Sequence, residues 1–122
     1  MSKNKNVKIY EHAQIIGLEN IEFGHDIIID DFVLIYAKNK IEIGNYVHIA
    51  CHASLTGGEL IEIGDFCAIS QGCRILTGSD DFVDWGFGNS TIDEKYRNAK
   101  RAPIKTGKFS IIGANSVILP GV

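Results

Sequence analysis

The sequence predicts an all-β fold, a parallel coil of short strands about five turns long with one long inserted loop. Three observations carry that prediction. Ile21-Glu22-Phe23-Gly24, Ile41-Glu42-Ile43-Gly44 and Ile61-Glu62-Ile63-Gly64 recur every twenty residues. Inside each unit large apolar residues return every six: Phe23, Ile29, Ile35, then Ile43, Ile49, Leu55, then Ile63, Ile69, Ile75. The rhythm stops after Ile75 and resumes with Ile104, Thr106, Ile112 and Ile118.

A period of six fits neither a helix nor a plain alternating strand. Side chains two apart share one face of a strand, so each six-residue unit reads as a short strand with an inward pair, followed by a corner. The second member of the pair is small or apolar: Val7, Ala13, Ile27, Val33, Val47, Ala53, Cys67, Cys73, Ser110 and Ser116. Three units close a triangular coil, and coils stack at the parallel strand spacing, giving a prism roughly 25 Å long. Gly24, Gly44, Gly64, Gly107 and Gly113 follow the large inward residue and are expected to ease the bend. Eighteen residues would close a coil, so each twenty-residue coil carries two extra at one corner. That corner holds Lys38-Asn39-Lys40 in one coil and Gly57-Gly58-Glu59-Leu60 in the next. Glu22, Glu42 and Glu62 form an outward ladder met by Lys105, a solvated face with weak pairing.

The whole of 1–122 reads as one coil domain, interrupted by an extended loop at 78–103. Long insertions in a regular solenoid add nothing to its stacking and are usually functional. This one carries the only Trp, Trp85, and most of a basic cluster. Thr91 and Glu94 are spaced as a capping box, which predicts about two helical turns over 92–100. Charge is segregated: residues 1–94 carry a net −9, and residues 95–122 a net +6 from Lys95, Arg97, Lys100, Arg101, Lys105 and Lys108. Such a field suits an anionic ligand at one end of the molecule. A basic arm on an acidic body argues against nucleic-acid binding.

Other classes are excluded by composition. The 122 residues are 45% hydrophobic without a long polar tract, against disorder. No apolar run approaches the ~20 residues of a membrane span. No signal peptide is evident at the start, and a cytoplasmic location is expected. Three cysteines without a Cys-x-x-Cys pair do not form a disulfide framework. Cys67 and Cys73 fall in the small inward columns as core residues, and Cys51 at a corner.

After the interruption come Pro103-Ile104-Lys105-Thr106-Gly107 and Ile112-Gly113-Ala114-Asn115-Ser116-Val117-Ile118-Leu119-Pro120-Gly121. With these motifs the chain resembles, over nearly its full length, the hexapeptide-repeat acetyltransferases, which are left-handed parallel β-helices. The handedness comes from that resemblance, against the right-handed rule for parallel crossovers. The Thr77-Gly78-Ser79-Asp80-Asp81-Phe82 arm and Glu94-Lys95-Tyr96-Arg97 look closest to acetyltransferases of surface-polysaccharide and nucleotide-linked sugar synthesis. The resemblance implies a homotrimer in which acetyl-CoA, as co-substrate, and a sugar or nucleotide-sugar acceptor meet between two prisms. It implies acetyl transfer to a hydroxyl or amine, with no metal.

Two departures stand out. Ser79 occupies the place of the general-base histidine in the galactoside-type loop, and Ser79 is no base near neutral pH. In the family, two or more coils follow Pro120-Gly121-Val122 and supply much of the CoA surface, so weak or no CoA binding is expected of the 122-residue form. The replacement base is expected to be His48, on a strand face, or His52, at a corner, oriented by Asp80 or Asp81 of a neighbouring subunit. Asp80 and Asp81 are also candidates to bind the acceptor. Ser79, Trp85 and Arg97 are candidates to hold it, with Lys100 and Arg101 beside Arg97 for a diphosphate. Lys105, Lys108 and the backbone N–H groups of Gly113, Ala114 and Asn115 suit CoA phosphates and pantetheine. Two other readings use the same fold. One is a non-catalytic trimeric module. The other is a zinc enzyme resembling γ-type carbonic anhydrases, for which His48-x-x-x-His52 is the only hint.

Overall fold

Inward side chains two apart make strands of two or three residues, and three such strands close each coil. The computed structural model describes residues 5–80 and 85–122. The first coil is β1 (Val7–Ile9), β2 (Gln14–Ile16) and β3 (Ile21–Phe23). The second is β4 (Ile27–Ile29), β5 (Leu34–Tyr36) and β6 (Ile41–Ile43), and the third β7 (Val47–Ile49), β8 (Ser54–Thr56) and β9 (Ile61–Ile63). The fourth begins with β10 (Ala68–Ile69) and β11 (Arg74–Leu76). It then sends out an arm with β12 (Gly78–Asp80) and β13 (Ala99–Arg101), and closes with β14 (Ile104–Thr106). Strands β15 (Ile111–Ile112) and β16 (Val117–Ile118) start a fifth.

Each face is one parallel sheet, in the orders β1-β4-β7-β10-β15, β2-β5-β8-β11-β16 and β3-β6-β9-β14. The twenty-residue repeat is the register itself, since Ile21 pairs with Ile41 and Ile41 with Ile61. Across the arm the third face resumes without a slip, with Ile104 beside Ile61. Four full coils and two strands of a fifth match the expected count.

The inward columns form the core. Ile29, Ile49 and Ile69 stack in one, Ile35, Leu55 and Ile75 in another, and Ile41, Ile61 and Ile104 in a third, all buried. Cys67 and Cys73 are buried among them, as expected. Their thiols donate to the carbonyls of Gly107 and Gly113 in the following coil, each at 3.0 Å.

The corners differ from expectation. The sharp turn is made not at the glycines but two residues later, by left-handed residues at Asp26, Tyr46, Phe66 and Phe109 on one edge. Phe32, His52 and Asn115 do the same on the next edge, with Gly72 in their column. Left-handed backbone costs an ordinary residue about 1–2 kcal/mol. Here ring stacking offsets part of it: Tyr46–Phe66 at 5.0 Å, Phe66–Phe109 at 4.7 Å and Phe32–His52 at 5.4 Å between centroids. Stacked pairs contribute about 0.5–1.5 kcal/mol each. The glycines serve close approach instead. A Cβ at Gly44 would lie 2.5 Å from Asp65 Oδ1, the atom that accepts the Asn45 N–H at 2.8 Å.

The glutamate ladder is in register, Glu22 beside Glu42 and Glu42 beside Glu62, with Lys105 next. Its closest cation is Lys40, 2.8 Å from Glu22 and 3.9 Å from Glu42. The Glu22 hydrogen bond, with the charges of Glu22 and Glu42, raises the Lys40 pKa above its ordinary 10.5. All of these groups are largely exposed, so the ladder adds little stability.

Candidate active-site cleft

The arm leaves the prism at Thr77, the one buried polar residue of the described chain. Its hydroxyl donates to Thr56 O at 2.7 Å and accepts the Glu59 N–H at 3.1 Å, which fixes the corner from which the arm departs. Strands β12 and β13 then pair antiparallel, Gly78 with Arg101, Ser79 with Lys100 and Asp80 with Ala99. The predicted helix over 92–100 does not form. Asp93, not Thr91, caps the segment by accepting the Lys95 N–H at 3.1 Å, and only one 3-10 turn, Glu94–Tyr96, follows. The rest of that stretch is taken by β13, because edge pairing with β12 satisfies its backbone better than a short isolated helix could.

That pairing brings Arg97 onto Asp80. Its Nε and Nη2 donate to the same carboxylate oxygen, Oδ1, at 3.2 and 2.8 Å. Both side chains are only 17% exposed, so this pair is shielded in a way no other ion pair of the described residues is. Around it lies a cleft of about 290 Å³ lined by Tyr36, Thr56, Ser79, Asp80, Arg97 and Arg101. One carboxylate and two guanidinium groups give the lining an excess positive charge, and Tyr36, Thr56 and Ser79 add hydroxyls. The arrangement suits a polar ligand with an anionic part.

Of the sequence-predicted residues, then, Ser79, Asp80 and Arg97 share one cleft. Asp81 lies outside the described residues. Trp85 is 63% exposed and does not line the cleft. His48 sits on β7 at the outer face of the first sheet, its Nε2 2.9 Å from Asp30 Oδ2. His52 is held at a corner, its ring stacked on Phe32 and its carbonyl accepting from Arg74. The two histidines engage different partners. Among the described residues no group of three or more His, Cys, Asp or Glu is placed to hold a metal, so the spacing offered for zinc has no support in the geometry.

The CoA candidates lie on the last strands and corners. Lys105 follows the glutamate ladder on β14, and Lys108 Nζ is 4.0 Å from Asp65. The Asn115 N–H is already donated to Gln71 O at 2.8 Å, which corrects its assignment as an open donor; Gly113 and Ala114 precede it at the same corner. Tyr36 and Thr56 were missed by sequence reasoning. Their signal is positional: each ends a strand of the second face, in the register row just before the corner where the arm departs.

No protein-family model matches the sequence. The dTDP-4-amino-4,6-dideoxy-D-glucose acyltransferase of Escherichia coli is 33% identical over 122 residues, covering 99% of this chain and 64% of the relative. AntD, an N-acyltransferase from Bacillus cereus, solved with dTDP and 3-hydroxybutyryl-CoA, superposes with a TM-score of 0.89 at 38% identity. That match covers 96% of this chain and 62% of AntD. A variant of AntD solved with dTDP-4-amino-4,6-dideoxyglucose and coenzyme A gives 0.86 at 36% identity, covering 93% and 60%. The chain therefore spans a little under two thirds of the length of the relatives it matches. Repeat, coil register and arm, with 33–38% identity over almost the whole of this chain, show that it shares the parallel β-helical fold of these acyltransferases.

Proposed function

We propose that the protein transfers an acyl group from a CoA thioester to the amine of a nucleotide-linked amino sugar. The observation that carries this reading is the cleft at the root of the arm, where a shielded carboxylate, two guanidinium groups and three hydroxyls converge. Such a lining can hold an amine and a phosphate-bearing acceptor together. The relatives act on or bind dTDP-linked 4-amino-4,6-dideoxyglucose, and AntD binds both coenzyme A and 3-hydroxybutyryl-CoA. Acetyl-CoA is a smaller donor of the same class.

In the reaction, the acceptor nitrogen bonds to the thioester carbonyl carbon, the carbon–sulfur bond breaks, and the proton released from nitrogen ends on the CoA sulfur. Asp80 accepts an N–H from the acceptor amine and holds it in line. The AntD structures include variants at a serine and at an aspartate ten residues further on. Ser70 and Asp80 are the one Ser–Asp pair of this chain with that order and spacing, which supports Asp80 and adds Ser70. The active form is a homotrimer: the second face exposes Ile16, Tyr36 and Val117 to 43, 39 and 54%, apolar surface that a neighbouring prism would cover. His48, backed by Asp30, then faces the cleft of the next protomer as the base. Lys105, Lys108 and the Gly113–Ala114 corner hold CoA. The setting is cytoplasmic synthesis of a surface polysaccharide; among the described residues no helix is long and apolar enough to cross a membrane.

The test is incubation with millimolar acetyl-CoA or 3-hydroxybutyryl-CoA and dTDP-4-amino-4,6-dideoxyglucose, reading free CoA thiol and the mass of the N-acylated sugar. Equal release of thiol and amide is expected. Acyl-CoA turnover without amide product, or no turnover with any donor, overturns the reading.

A further inference from the structure

The geometry points to Arg97 as a positioning residue that acts through Asp80, and not as a direct ligand of the acceptor's diphosphate. This rests on the acyl-transfer reading above and deepens it.

Four observations support the assignment. Arg97 gives two hydrogen bonds to Asp80, and both land on Oδ1. Among the described residues, Oδ2 receives none. One oxygen is thus held in a two-point grip, and we assign the other to the ligand. Secondly, each side chain is 17% exposed, against 54 and 64% for the Lys40–Glu22 pair on the open face. Shielding makes a charge-assisted grip more rigid and less screened.

Thirdly, the two residues lie at the end of a strand pairing. Asp80 is the last residue of β12, opposite Ala99, and Arg97 stands two residues before Ala99, outside the ladder. Backbone pairing therefore sets the spacing, and the ion pair sets the carboxylate's direction. Finally, the guanidinium is spent on Asp80, whereas Arg101 shares the cleft without an ion pair among the described residues. An anionic group entering the cleft has Arg101 to meet, and Arg97 stays with the carboxylate. A lysine could supply the charge but not the planar fork whose two N–H groups converge on Oδ1.

A double-mutant cycle on the protein tests this, reading kcat and KM for dTDP-4-amino-4,6-dideoxyglucose and inhibition by dTDP alone. The variants are Asp80→Asn, Arg97→Gln, Arg97→Lys and the double Asp80→Asn/Arg97→Gln. Arg97→Gln should lower kcat/KM about 10- to 100-fold, the range for losing a hydrogen bond to a charged group. Arg97→Lys should recover part of the loss. The double variant should be no worse than Asp80→Asn, within about twofold, because coupled residues are not additive. Inhibition by dTDP should be unchanged in Arg97→Gln. Losses that multiply in the double variant, or weaker dTDP inhibition in Arg97→Gln, overturn the proposal and make Arg97 a ligand of the nucleotide. Wild-type kinetics in Arg97→Gln, with Asp80→Asn impaired, overturn it too but leave the site reading standing. Wild-type kinetics in Asp80→Asn overturn the reading of the cleft itself. A merely structural staple would be served as well by Lys as by Arg.

Discussion

The corners show how single residues set the coil spacing. Gly44 and Gly58 both sit at corners, yet their surroundings differ. A Cβ at Gly44 would press 2.5 Å from Asp65 Oδ1 and 2.9 Å from its backbone nitrogen, whereas one at Gly58 would meet only Thr77 Oγ1 at 3.7 Å. Gly44→Ala should therefore cost about 1–3 kcal/mol, as overpacking does. Gly58→Ala should stay within about 0.5 kcal/mol. Urea unfolding of both variants checks the contrast. Asp26 offers a second residue-level prediction. Its carboxylate is held below its ordinary pKa of 3.8, first by the Asn6 amide at 2.7 Å and then by the His25 ring. A depressed folded pKa favours folding above the ordinary value, and that contribution disappears as pH falls through the folded pKa. Asn6→Ala should raise the Asp26 pKa in an NMR titration, so that the acid-side loss is smaller and is complete at a higher pH.

Among elements, the strands were fully legible and the arm was not. A strand of the prism is specified by two inward side chains, and the column through Ile29, Ile49 and Ile69 repeats that specification in every coil. The arm has no such repetition. Thr91 and Glu94 have capping-box spacing, but Asp93 wins the cap and β13 wins the chain, because β12 is at hand to pair with it. Local spacing cannot announce a partner that arrives from twenty residues away. The corners were misread for a similar reason: glycine marks where another coil approaches closely, while aromatic residues take the left-handed turn and stack. Because the described residues of the arm lie outside the buried columns, replacing 78–102 with a short Gly-Ser linker should leave a folded prism with a β-rich circular dichroism spectrum. It should remove acyl transfer. Loss of the cooperative thermal transition in that variant would show that the arm supports the core.

At the scale of the molecule, three faces carry three different surfaces. The third is a ladder of Glu22, Glu42, Glu62 and Lys105, the second exposes Ile16, Tyr36 and Val117, and the first presents His48 beside Asp30 together with exposed Ile28 and Ile111. The arm rises where the second face meets the third, and the cleft forms at its root. Ser79, Asp80 and Arg97 were readable as candidates because the arm breaks the repeat. Tyr36 and Thr56 were hidden because they look like ordinary outward strand residues until the coils are stacked. The segregated charge has a place as well: Arg97 and Arg101 bring the basic end of the chain to the cleft.

The most direct test of acyl transfer at this cleft is the rate of CoA thiol release with dTDP-4-amino-4,6-dideoxyglucose, measured for the protein and for Asp80→Asn at equal folded concentration. The account predicts a rate about 100-fold lower for Asp80→Asn, in the range for a group that positions a reacting amine. An unchanged rate would contradict it.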